Sequence, residues 1–67
     1  MIFVRYDTMM QLYLKEHKAT RRWQDAKQYT KLGLAKHNAP KGVVIHEFNK
    51  GHFVKSHPVE DNREIVV

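Results

Sequence analysis

The stretch MMQLYLKEHKATRRWQDAKQYTKLGLAK, Met9–Lys36, decides how this chain is read. It contains no proline, and its one glycine is Gly33. At about 100° per residue, Leu12, Ala19, Trp23, Ala26 and Leu34 share one flank of a helix, with Thr30 among them. Lys18, Arg21, Arg22 and Lys36 fall largely opposite, and Lys27 and Lys31 lie on a side face. Thr8-Met9-Met10-Gln11 fits a capping box, with the Thr hydroxyl and the Gln amide closing the first turn reciprocally. Asn38 suits a left-handed cap, and Pro40 prevents continuation. Taken as one helix, the stretch would run roughly 42 Å at 1.5 Å per residue. A domain of this length has a radius of gyration of only ~11 Å. Either the helix breaks near Ala19–Thr20, with Thr20 capping a second helix, or a partner chain covers the overhang.

Outward from this segment the period changes to two. Ile2–Tyr6 reads as a strand of alternating β-branched and aromatic residues. Residues 42–48 and 52–57 read as a β-hairpin around Asn49-Lys50-Gly51, where glycine supplies a positive φ. Two registers compete. Pairing Phe48 with Phe53 makes an aromatic cross-strand contact and leaves Lys50-Gly51 as a two-residue loop, whereas pairing Phe48 with His52 uses the three-residue turn. Pro58 ends the second strand, and residues 64–67 form a short edge strand or part of an acidic tail.

Isolated hairpins are marginal, so the first strand is expected to join the hairpin sheet while the helical segment packs across one face. The expected fold is a small two-layer α+β domain: strand, one long or two shorter helices, β-hairpin, and an optional C-terminal edge strand. A winged helix-turn-helix lacking its first helix is the alternative. Residues 1–58 make a single basic domain, and residues 59–67 a mildly acidic tail or edge strand.

Composition bounds the rest. Sixty-seven residues allow one domain, burying about 60 % of the surface its unfolded chain exposes. Hydrophobic residues at 42 % and charged residues at 28 % favour a folded chain over a disordered one. There is no cysteine, which excludes disulfides and thiolate metal sites. No apolar run approaches the ~20 residues of a membrane span, and Met1-Ile2-Phe3-Val4-Arg5 lacks the features of a signal peptide. A soluble cytoplasmic protein is expected.

The net charge is +5. Residues 8–40 hold seven bases against two acids, and residues 58–67 hold one base against three. The body is thus more basic than the whole, and its surplus points to an anionic partner. Lys15, Lys18, Arg21, Arg22, Lys27 and Lys31 are the candidate nucleic-acid contacts of the helical segment, with Lys50, His52 and Lys55 adding contacts from the hairpin. Lysine and arginine neutralise phosphates and release counterions, while arginine and nearby Gln24 and Gln28 can read base edges. Trp23 is expected in the core.

The other constellations are weaker. His46, His52 and His57 lie on or beside the hairpin, with His17 and His37 on the helical segment. There is no His-Glu-x-x-His and no His-x-His pair, so no metal site is assigned. Gly33, Gly42 and Gly51 form no phosphate-cradling loop, and no cofactor is expected. The leading expectation is a small non-enzymatic nucleic-acid-binding regulator. A protein-binding inhibitor or adaptor, dimeric in one version and using Met10, Tyr13, Leu14, Tyr29 and Leu32, is the second. A small ribonuclease using one histidine as general acid or base is the third.

Overall fold

The computed structural model describes residues 1–59. Their elements run β1 (Ile2–Asp7), β2 (Leu12–Leu14), β3 (Ala19–Thr20), a single 3-10 turn (Trp23–Asp25), β4 (Gln28–Tyr29), α1 (Leu32–Lys36), β5 (Val43–Asn49) and β6 (His52–His57). The strands form one antiparallel sheet in the order β3-β2-β1-β5-β6, and β4 also pairs with β1. The fold belongs to the expected α+β class, dominated by the sheet and carrying one short helix.

β1 is the central strand, and its alternation explains both cores. Ile2, Val4 and Tyr6 point to one face, and Phe3, Arg5 and Asp7 to the other. Along its whole length β1 pairs with β5, from Ile2 opposite Phe48 to Asp7 opposite Val43. Its other edge is shared, with β2 beside Tyr6 and Asp7 and β4 beside Phe3 and Val4. A bond from the Lys27 amide to the Leu14 carbonyl (3.2 Å) joins these two short strands.

On the helix face, Phe3, Val43 and Ile45 pack with Ala35 of α1, and Leu14, Tyr29, Leu32, Ala39 and Val59 close around them. On the aromatic face, Val4, Ala26 and Phe48 form a second cluster, flanked by Ile2, Tyr13 and Trp23. Val4 and Ile45 are the largest fully buried side chains. Each such burial stabilises the fold by about 1.5–3 kcal/mol.

The helical reading of residues 9–36 is corrected: only Leu32–Lys36 is α-helical, and Trp23–Asp25 makes one 3-10 turn. With a single five-residue helix, the winged helix-turn-helix alternative is excluded too. The reason starts at Asp7. Its Oδ1 accepts from the Met9 and Met10 amides at 2.9 and 3.0 Å, as a helix N-cap would. The chain then leaves the turn at Gln11, whose φ is +58°, with the Gln11 amide bonded to the Asp7 carbonyl at 2.8 Å. Thr8 Oγ1 donates to the Gly42 carbonyl and caps nothing. A four-residue hairpin loop results, with Asp7 opposite Leu12.

The supposed apolar flank is dispersed accordingly. Ala26 is buried, but Leu34 is 54 % exposed. Trp23 is half-buried at the edge of the second cluster. Thr20 Oγ1 accepts from the Arg22 amide (3.2 Å), bending the chain into the 3-10 turn where a second helix was expected. The stop signal does operate, since α1 ends at Lys36 and Asn38 has a φ of +54°.

The hairpin forms as expected. Phe48 faces Phe53 and Asn49 faces His52, leaving Lys50-Gly51 as the loop. Both loop residues have positive φ, +52° and +82°, the combination a type I′ turn needs to match strand twist. The pairing shifts between Glu47 and Phe48. Val54 is the extra residue of this bulge, which turns Phe53 to the aromatic face while Lys55 and His57 stay on the helix face. Of residues 59–67 only Val59 is described; the expected edge strand or tail beyond it lies outside the described residues.

Candidate nucleic-acid interface

A basic helical face does not exist, because the segment that was to form it is mostly strand and turn. The candidate cations instead sit at separate places, most of them on loops and turns and His52 and Lys55 on β6. Lys15 and Lys18 flank the Glu16-His17 tip of the β2–β3 hairpin, closed by a 2.7 Å bond from the Lys15 amide to the Lys18 carbonyl. Lys27 reaches the same tip, with Nζ 3.4 Å from Glu16 Oε1. Lys15, Lys18 and Lys27 share a shallow recess with His17 and Asp25. A neighbouring recess is lined by Lys15, Lys27, Arg5 and Tyr29. The Tyr29 ring carries both cations, with the Arg5 guanidinium 5.1 Å and Lys27 Nζ 5.4 Å from its centroid.

Arg21 and Arg22 enter the segment that lays Trp23 on Phe48, and Arg22 Nε pairs with Asp25 at 3.2 Å. Lys31 caps the start of α1. Lys50 occupies the β5–β6 turn with His52 beside it, and Lys55 stands opposite Glu47. The structure therefore groups Lys15, Lys18 and Lys27. It leaves Lys50, His52 and Lys55 on the opposite edge strand of the sheet, and Lys31 apart from both.

Among the described residues every carboxylate is engaged locally. Asp7 holds its own turn, Glu16 pairs with Lys27, Asp25 pairs with Arg22, and buried Glu47 accepts from His57 Nε2 at 2.7 Å. Within the same residues Lys15, Lys18, Arg21, Lys31, Lys36, Lys41, Lys50 and Lys55 have no carboxylate at ion-pair distance.

The aromatic face went largely unseen at the level of sequence. Tyr6 stacks on His46 (centroids 4.4 Å, 15° between planes), and Trp23 stacks on Phe48 (4.2 Å, 13°). Phe53 meets His46 and Phe48 edge-on at 5.1 and 5.8 Å. Tyr13 meets Tyr6 and His46 at 4.9 and 5.5 Å, and its hydroxyl lies 3.0 Å from His46 Nδ1. Burial holds the His46 imidazole below its ordinary range. This favours the neutral ring, whose Nδ1 shares the hydrogen bond with the Tyr13 hydroxyl. Burial, and secondarily Tyr6, lifts the Tyr13 hydroxyl above its usual value. The legible signal was alternation, since Tyr6 and His46 share parity with Val4 and Phe48; the bulge that adds Phe53 had none.

Leu14, Tyr29 and Leu32 pack against the first core cluster and Tyr13 against the second, so they form no continuous protein-binding stripe. Met10 is exposed, in the β1–β2 loop. The histidines do not converge either: His46 is on the aromatic face, His57 on the helix face and His52 beside the turn. No group of three potential metal-binding side chains occurs among the described residues, and no helix there is long and apolar enough to cross a membrane. Compared with family models, curated proteins and solved structures, the chain matches none of them.

Proposed function

We propose that this chain is a small non-enzymatic nucleic-acid-binding module with a regulatory role, acting in the cytoplasm. The observation that carries the reading is the local engagement of every described carboxylate, which leaves nine lysines and arginines without an acidic partner among the same residues, of which Arg5 is held by backbone carbonyls. Exposed cations of this kind neutralise phosphates and release condensed counterions. Lys15, Lys18 and Lys27 supply one cluster of contacts, Arg21 and Arg22 a second, and Lys50 with His52 a third. The separation of His46 from His57 across the sheet supports binding rather than hydrolysis, because general acid–base cleavage needs groups converging on one phosphodiester.

The test is retardation of labelled nucleic acid across a salt series. Affinity is expected to fall steeply between about 50 and 200 mM salt. Replacing Arg21 and Arg22 together by alanine is expected to weaken binding uniformly across sequences and to flatten the log–log salt slope by about 1.4–1.8. Binding insensitive to salt overturns the reading. A protein-binding adaptor is the second reading, favoured by Phe53 and Val54, which are 55 % and 47 % exposed on the edge strand β6. It predicts a stable protein complex or dimer with no retardation at moderate salt.

A further inference from the structure

From the aromatic face we infer the kind of nucleic acid bound: a single strand, whose unpaired bases stack on Phe53 and on the rings beside it. This inference rests on the nucleic-acid reading above and narrows it. Six rings lie within one network on that face: Tyr6, Tyr13, Trp23, His46, Phe48 and Phe53. Only Phe48 among them is buried; Phe53 is 55 % exposed, and the others are half-buried. α1 packs on the opposite face, against Phe3, Val43 and Ile45, so among the described residues no helix lies over these rings.

Charge selects the occupant. The strand residues directed to this face are Ile2, Val4, Tyr6, Tyr13, Thr20, Gln28, Val44, His46, Phe48, Phe53 and Ser56, and none is acidic. Glu47 and Asp7 belong to the helix face, where Glu47 is tied to His57. Cations neighbour the rings along the chain: Arg21 and Arg22 immediately precede Trp23, with Arg22 paired to Asp25 at 3.2 Å and Arg21 without a carboxylate partner among the described residues, and Lys50 follows Phe48 by two residues on the β5–β6 turn. Flat rings with no acidic strand residue among them, and with Arg21 and Lys50 nearby in the chain and without a described carboxylate partner, fit a ligand that alternates flat bases with phosphates. A duplex hides its bases' faces inside its own stack, so only an unpaired strand can use the rings.

Trp23 is the chain's single tryptophan and sits in this network, so it reports directly. Wild-type protein is titrated with a 15-nucleotide oligothymidylate, its oligouridylate counterpart, a 15-base-pair duplex and inorganic polyphosphate. Saturable quenching of Trp23 emission by the single strands, and none by polyphosphate, is expected. Phe53→Leu keeps apolar bulk at an exposed position and removes the ring. It is expected to weaken single-strand binding about 5- to 100-fold, leaving polyphosphate and duplex binding within about twofold. Equal binding of all four probes, with the variant indifferent, overturns the stacking inference while the phosphate reading stands. Failure of every probe to bind overturns both. A dimer that Phe53→Leu dissociates assigns the face to a second copy and overturns the inference.

Discussion

Arg5 shows how one side chain can join layers that chain order keeps far apart. Its guanidinium donates from Nε to the Ala35 carbonyl (2.9 Å) and from a terminal nitrogen to the His37 carbonyl. These are carbonyls at the end of α1, which a five-residue helix cannot satisfy internally. A helix this short is not stable alone, so its position depends on Ala35 in the core and on Arg5 at its end. Arg5→Ala is expected to cost about 1.5–3 kcal/mol, the range for hydrogen bonds to a charged group. Arg5→Lys recovers only part, because an ammonium lacks the planar fork that spans two carbonyls. Urea unfolding of both variants measures this, and equal stability of wild type and Arg5→Ala would remove the cap from the account. Among the described residues every buried side-chain polar atom has a partner.

The β5–β6 hairpin depends on two adjacent residues with positive φ. Lys50 holds +52° with a side chain that disfavours it, and Gly51 holds +82° without penalty. Lys50→Asn is therefore expected to raise stability by about 0.5–1 kcal/mol, since asparagine enters the left-handed region more easily. Gly51→Ala should lower it by about 1 kcal/mol or more. Nothing lies within 4 Å of a Cβ placed at Gly51, so that loss is backbone strain rather than collision. Opposite shifts in thermal midpoint check both. The hairpin was legible because turn chemistry is local. Its register was not, because the bulge at Val54 is decided by which face Phe53 and His57 can each occupy. The helix expected over residues 9–36 failed for a related reason: Asp7 makes the same bonds to the next amides whether a helix or a hairpin loop follows.

At the scale of the whole molecule, two small clusters on either side of one strand carry the stability. A chain of 67 residues has about 3–10 kcal/mol in total at the usual stability per residue. Ile45→Ala, at a position with no exposure, is expected to cost about 2–5 kcal/mol, a large share of that total. Ile45→Val should cost about 0.5–1.5 kcal/mol and remain folded. Denaturant titration of both separates the cases; a near-neutral Ile45→Ala would mean that the helix-face cluster contributes little.

The amino-acid sequence by itself determined the α+β class, the strand at Ile2–Tyr6, the existence of the hairpin, the helix stop at Asn38 and the excess of base over acid in the described body. These follow from local propensity, parity and counting, which need no distant partner. Only the tertiary structure decided that residues 9–36 split into short strands, that Arg5 caps α1, and that six rings meet on one face. The physical reason is that short segments with both apolar and polar residues satisfy either period. Long-range pairing to β1 then decides between them, through backbone bonds and burial that the isolated segment cannot make.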